Sequence, residues 1–242
     1  MPKGTPVAAR KLPLFSRFTG ACLRLAAFCF ARVKVEGLER IPESGPLLVI
    51  CNHCSNADGM LLMGFVVPAM GRPMRWLGKE EALRWPFFGW GMRQNGVMGV
   101  RRGAGDLEAF KMAKGVLDEG GVLTIFPEGT RSPTGALQEV KEGATVLAVR
   151  SGAPILPIAI AGSQRFWPKG KLLPRPRRRM TVRVGETFTL SMPKGDDRRE
   201  SLRAATAEMM RHVAELLPED QRGVYSGTVE RADNEQVDGR AR

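Results

Sequence analysis

Short apolar runs and segments of helical periodicity take turns along most of the 242-residue chain, and this alternation restricts the fold more than any other feature. RVKVEG (32–37), PLLVIC (46–51), MRWLGK (74–79), GVMGV (96–100), GVLTIF (121–126) and, despite its prolines, PILPIAI (154–160) have the length and side-chain bias of strands. Between them, 56–70, 105–119 and 140–151 read as helices and 80–94 as a helix or a broken helix. Strand and helix in alternation call for an α/β layer structure with a largely parallel sheet flanked by helices. Residues 180–190 add edge strands, and 197–217 form a last amphipathic helix with Leu202, Met209, Val213 and Leu216 inward. With 43% hydrophobic residues the chain can bury one core, so a single α/β domain with a mixed, largely parallel sheet is expected over 33–217. From Pro218 onward the composition turns charged and loses periodicity, which predicts a disordered charged tail over 218–242.

Thirty-seven Lys and Arg against 25 Asp and Glu give a formal net charge of +12, which points to a negative partner: nucleic acid, an anionic membrane surface or a phosphorylated substrate. The N-terminal segment narrows the choice. In RKLPLFSRFTGACLRLAAFCFARV, Arg17 and Arg24 interrupt the apolar runs, leaving nothing near the roughly 20 apolar residues that cross a bilayer. Wound as a helix, Arg10, Arg17 and Arg24 share one stripe while Phe15, Phe18, Cys22, Leu25 and Cys29 collect on the far side. Such a basic amphipathic segment over 1–32 lies in the interface of an anionic leaflet or packs on its own domain. The basic segment RFWPKGKLLPRPRRRM (165–180) has no nucleic-acid reading module and few aromatic platforms. It reads as a partner for lipid headgroups or acyl-donor phosphates, or as a solvated loop. Trp85, Phe87, Phe88 and Trp90 around Pro86 read as core or as a bilayer-interface cluster.

ICNHCSNADGM (50–60) holds His53, one of two histidines. Cys51 and Cys54 raise a metal or redox reading, but no second Cys pair follows and His212 is isolated far downstream, so the metal ligand set is incomplete. The other reading is a base and its orienting acid. His53 stands where a strand ends, and Asp58 falls in the first turn of the next helix, which Ser55 or Asn56 can cap. A carboxylate on Nδ1 would fix the tautomer and leave Nε2 to take a proton from a substrate hydroxyl. Alternatively, His53 is a satisfied turn histidine and Asp58 a helix N-terminal charge. FPEGTRS (126–132) places Glu128 and Arg131 at another strand's carboxyl end, where α/β sheets build sites. Gly129 permits a tight turn there, and Arg131 offers a donor fork suited to phosphate. GVMGVRR ends a third strand with Arg101 and Arg102.

At these residues the resemblance is specific. NHCSNAD resembles the N-H-x₄-D block of the glycerolipid acyltransferases, typified by the 1-acylglycerol-3-phosphate (lysophosphatidic acid) acyltransferases. GKEEALRWPFFGWGMRQNGVMGVRR, FPEGTRS and GAPILPIAI are similar to their second, third and fourth blocks, in order, over residues 47–160. The resemblance implies that His53 is the general base and Asp58 its orienting acid, and that the hydroxyl attacks the acyl thioester without an acyl-enzyme. It further implies that Arg102, Glu128, Gly129, Thr130 and Arg131 form the substrate-binding set around the glycerol phosphate. It implies no cofactor and no metal; acyl-CoA or acyl-carrier protein enters as the acyl-donor substrate, and a lysophospholipid is the acceptor. The implied location is the cytoplasmic face of the cell membrane, peripheral or monotopic. Gly99 and Arg101 depart from the aromatic and acidic residues frequent in the second block, which leaves room for another acceptor: glycerol 3-phosphate, another lysophospholipid or an amino-acid-based lyso-lipid. A non-catalytic basic binder of anionic lipid or nucleic acid is the alternative from a different class.

Overall fold

The computed structural model describes residues 11–100, 106–192 and 197–229. Helix α1 (Leu14–Phe30) leads into β1 (Ala31–Glu36) and β2 (Leu47–Cys51). A continuous helical stretch follows as α2 (Ala57–Leu61), a π-helical turn (Leu62–Val66) and α3 (Val67–Met70). Then come β3 (Met74–Lys79), α4 (Glu80–Leu83), α5 (Phe88–Gln94), β4 (Val97–Val100) and α6 (Asp106–Asp118). The chain continues through β5 (Val122–Ile125), α7 (Glu142–Ser151), β6 (Ile155–Ala161), α8 (Ser163–Phe166), β7 (Arg178–Val184) and α9 (Arg198–Leu216). The expected alternation is therefore present, and the break in 80–94 falls at Pro86.

The seven strands form one sheet in the order β1-β7-β6-β2-β5-β3-β4. β2 pairs parallel with both β5 and β6, β3 parallel with β5 and β4, and only the β6–β7 pair is antiparallel. The sheet is mixed and largely parallel. Helices cover both faces, so all five residues of β2 are buried, as the continuous apolar run LLVIC demands. One face packs Leu48, Ile50, Leu123 and Ile155 against Met209, Met210 and Val213 of α9. The other packs Leu47, Val49, Leu156 and Ile158 against Leu62, Val66 and Val67.

Three expectations are corrected. The 180–190 segment is not an edge: β7 lies between β1 and β6, because it pairs parallel with β1 along Arg178–Arg183 while β6 takes its other side. Beyond it only Phe188 bridges, to Ile155. Along α9 Met209 and Val213 are buried as expected and Leu216 packs half-buried on the same core, but Ser201 and Ala205 are buried where Leu202, only half-buried, was expected inward. The tail does not begin at 218: 219–229 form helical turns that bury Tyr225 and Val229 against the α9 face, apolar anchors that outweigh the surrounding charge. Residues 230–242 lie outside the described residues.

Helix α1 buries neither of its predicted stripes. Its inward side chains are small, Ser16 and Gly20. A Cβ on Gly20 would meet the Met63 carbonyl at 3.1 Å, and one on Gly64 would meet Leu23 Cβ at 3.4 Å. Two glycines thus let α1 lie close on the 57–70 helix, while Leu14, Phe18, Leu25, Phe28 and Phe30 stay exposed. Among the described residues no helix is long and apolar enough to cross a membrane.

Candidate active site

Parallel strands end on the same edge, so the loops after β2, β5 and β6 converge. His53 follows β2 in an irregular turn, and Asp58 lies in the first turn of α2. The two meet: Nδ1 of His53 is 2.8 Å from Oδ2 of Asp58. That carboxylate is fully buried (0% exposed) and densely satisfied. Its Oδ2 also accepts the backbone N–H of Cys54 at 2.7 Å and of Ser55 at 2.8 Å, and its Oδ1 accepts the Ser163 hydroxyl at 2.5 Å. A carboxylate with four donors is fixed in rotamer, and it favours the His53 tautomer with the proton on Nδ1. Nε2 then carries a lone pair and is not hydrogen-bonded to any described residue. The imidazole stacks on Phe126, centroids 4.1 Å apart, and is part-exposed, so it opens toward solvent on one side only.

The backbone of His53 is gripped as firmly as its ring. Its N–H donates to Glu128 Oε1 at 2.7 Å, and its carbonyl accepts from the Ser132 N–H at 2.7 Å. The other oxygen of Glu128 accepts from Gln138 N and Nε2 at 3.2 and 3.1 Å. Glu128 is 5% exposed, and burial raises its carboxyl above the ordinary value, opposed by the hydrogen bonds from His53 and Gln138. Both its oxygens accept from protein donors, and through the His53 N–H Glu128 props the His53 turn. Gly129 (φ +66) makes the return that the Gly129 N–H to Phe126 carbonyl bond closes at 2.9 Å. Gly129 and Thr130 are exposed on the rim. Arg131 donates from Nη1 to Asn56 Oδ1, three residues beyond His53, which brings a guanidinium to the same cleft. Arg101 and Arg102 lie outside the described residues.

The cysteines do other work. Cys51 and Cys54 are free and buried. Burial, reinforced by the Asp58 carboxylate, raises the Cys51 thiol far above its ordinary value and pushes Cys54 up to about 12. Neither is poised as a thiolate. Among the described residues no group of three or more His, Cys, Asp and Glu could hold a metal ion. A cavity of about 540 Å³ between Leu12, Ser16, Arg72 and Gly121 lies at the opposite, amino edge of the sheet and includes none of these groups.

The acyltransferase family model matches residues 32–161, more than half of the chain. The chain belongs to the acyltransferase family. Over 141 residues this chain is 38% identical to the 1-acyl-sn-glycerol-3-phosphate acyltransferase of Pseudomonas aeruginosa, covering 57% of this chain and 52% of that one. It is 34% identical over 145 residues to the human 1-acyl-sn-glycerol-3-phosphate acyltransferase alpha, covering 57% and 48%. The match thus spans about half the length of these curated relatives. The crystal structure of the 1-acyl-sn-glycerophosphate (LPA) acyltransferase PlsC from Thermotoga maritima superposes with a TM-score of 0.65 at 28% identity, covering 84% of this chain and 80% of that one.

Sequence reasoning missed most of the contacts that hold the His53–Asp58 pair in place. Asn52 bridges to β6, its Nδ2 donating to the Ile160 carbonyl at 2.9 Å and its Oδ1 accepting from the Ile160 N–H at 2.8 Å. Ser55, one of the two expected caps, precedes the N-cap residue Asn56; its Oγ accepts from the Ala57 N–H at 3.1 Å and donates to the Trp167 carbonyl at 2.8 Å, the second contact having no local signal. Ser163 and Gln138 are separated from the residues they serve by 105 and 10 positions. No local spacing signals Ser163; only the β2–β6 pairing delivers it.

Proposed function

We propose that this chain is a membrane-associated O-acyltransferase that moves a fatty acyl chain from acyl-CoA or acyl-carrier protein to the free hydroxyl of 1-acylglycerol 3-phosphate, giving phosphatidic acid. The observation that carries the reading is the buried, four-donor Asp58 on Nδ1 of His53, with Nε2 left unengaged. Nε2 takes the proton of the acceptor hydroxyl as its oxygen attacks the thioester carbonyl carbon. The imidazolium so formed is stabilised by Asp58, which stays ionised. Collapse of the tetrahedral intermediate breaks the C–S bond, and the proton on Nε2 passes to the departing thiolate.

Direct transfer, rather than an acyl-enzyme, is favoured by the state of the neighbouring nucleophiles. The Ser163 hydroxyl donates to Asp58, the Ser55 hydroxyl donates to Trp167, and the Cys54 thiol is pushed up to about 12. Ser163 is fully buried against that carboxylate, and neither Ser55 nor Cys54 has a base to activate it. Arg131 at the rim is assigned to the acceptor phosphate, and similarity to the 1-acyl-sn-glycerol-3-phosphate acyltransferases supports this acceptor. The exposed apolar side of α1 supports the 1–32 segment as a peripheral anchor on an anionic, cytoplasmic leaflet.

Thiol release measured on purified protein with an acyl thioester and 1-acylglycerol 3-phosphate tests this. His53→Ala should lower kcat by about 10²–10⁴, and Arg131→Ala should raise the acceptor KM more than it lowers kcat. Unchanged turnover by His53→Ala overturns the mechanism. Preference for glycerol 3-phosphate or lysophosphatidylcholine in the same assay would keep the chemistry and replace the acceptor.

A further inference from the structure

Three exposed apolar groups lie on segments far apart in sequence and are tied together by α1. Along the helix itself stand Leu14, Phe18, Leu25 and Phe28, the last 85% exposed. Toward its start, Phe15 meets Trp90 edge-on at 4.9 Å between centroids. This contact brings up the turn between α4 and α5, where Trp85, Phe87, Phe88 and Trp90 are all exposed and Phe87 reaches 89%. At its end, the Phe30 carbonyl accepts the Arg177 N–H at 2.7 Å. That contact docks the loop 168–177, whose tip is Leu172, 87% exposed, and Leu173.

Neither turn is exposed by default. Phe87 holds φ +59, a conformation costly for a bulky residue and seen where surroundings impose it. Phe87 is nonetheless left 89% exposed. Around Leu172 and Leu173 stand Lys169, Lys171, Arg175, Arg177, Arg178 and Arg179, all exposed, and no acidic residue occurs from Phe166 to Val184. Apolar tips collared by cations match a leaflet with acyl chains below and anionic headgroups above; Trp and Phe suit the same boundary. The position is also telling. Lys169 Nζ donates to the Arg131 carbonyl at 2.7 Å, and the Trp167 carbonyl accepts from Ser55, so the leucine loop rises from the lip of the His53 cleft. The aromatic turn follows the carboxyl end of β3, on the same edge.

We propose that the Trp85–Trp90 turn and the Leu172–Leu173 loop are two membrane wedges which, with α1 between them, set the His53 cleft against the surface of an anionic bilayer. The occupant is the bilayer interface, not a soluble ligand. The proposal rests on the acyltransfer reading only for the purpose of this placement.

The test is sedimentation of full-length protein with phosphatidylcholine/phosphatidylglycerol vesicles, alongside turnover in detergent micelles. Two double variants are compared with the wild type: Trp85→Ser with Phe87→Ser, and Leu172→Ser with Leu173→Ser. α1 is intact in both. Each should lose about tenfold or more in vesicle partitioning while micellar turnover stays within about twofold. Partitioning within about twofold of wild type, for protein whose circular dichroism is unchanged, overturns the wedges even if micellar turnover is robust. Wild-type dimers that the same variants dissolve, seen by light scattering, overturn them in favour of a second copy. Vesicle loss as expected with no turnover in any form upholds the wedges and overturns the acyltransfer reading instead.

Discussion

Replacing Asp58 by Asn changes one charge and very little shape, so its cost isolates what the carboxylate does for His53. An Asn amide oxygen placed at the Oδ2 position can still accept from His53 Nδ1 and from the N–H groups of Cys54 and Ser55. Its NH₂ then faces the Ser163 hydroxyl, which can turn to accept. The fold and the imidazole tautomer therefore survive. What disappears is the attraction between a full negative charge and the imidazolium that forms during attack. Two unit charges about 4 Å apart interact by about 4 kcal/mol at an effective dielectric near 20. At about 1.36 kcal/mol per decade this is roughly a 10³-fold fall in kcat. The acceptor KM should move by less than about threefold, because ground-state binding does not use the charge. Thiol-release kinetics on wild type and Asp58→Asn, with matched circular dichroism, give the comparison. A loss below about tenfold would falsify the assignment of His53 as a base that becomes cationic in the transition state.

Two further perturbations probe the support around this pair. Ser163→Ala leaves Asp58 Oδ1 without its buried donor; kcat should fall about tenfold with KM unchanged, and Ser163→Thr should restore part of it, whereas a purely structural role would move stability and leave kcat per folded molecule intact. Glu128 is an acid whose folded-state pKa burial raises above 4.5. Its contribution to stability is complete below that value and is lost as pH rises through the raised one. The stability of wild type relative to Glu128→Gln, followed by thermal unfolding from pH 4 to pH 8, should therefore decline with rising pH; a difference that stays flat or grows refutes the assignment.

Most of the sheet was legible because parallel strands buried on both faces need unbroken apolar runs. LLVIC and VLTI carry that signal whatever surrounds them. The strand order was not, since β7 between β1 and β6 rests on pairings 147 residues apart such as Glu36 with Arg183. The end of the domain was misplaced for a different reason. Composition averages over a window, and two side chains, Tyr225 and Val229, suffice to hold a charged segment on a core. In the site, His53, Asp58 and Gly129 could be found because their chemistry is local: a strand end, a first helical turn, a backbone return. Glu128 was found, but its bond to the His53 backbone was not. A carboxylate beside an arginine in a short motif suggests a binding pair, but the sequence does not show which way it faces, and burial turns it to the His53 N–H.

The placement of the base follows from one topological fact. β2 is the fourth of seven strands, flanked by β5 and β6, so the turn that carries His53 has a neighbouring parallel strand end on each side. From the β5 side come Glu128 and Ser132 on the two peptide groups of His53. From the β6 side come Ile160 on Asn52, Ser163 on Asp58 and Trp167 on Ser55. A base at the end of β4, an edge strand, would have support on one side and freedom on the other. An imidazole must hold its angle to a bound hydroxyl closely for proton transfer to keep pace with attack. Central position in the sheet thus supplies the rigidity, and the part-exposed imidazole at the strand end supplies access.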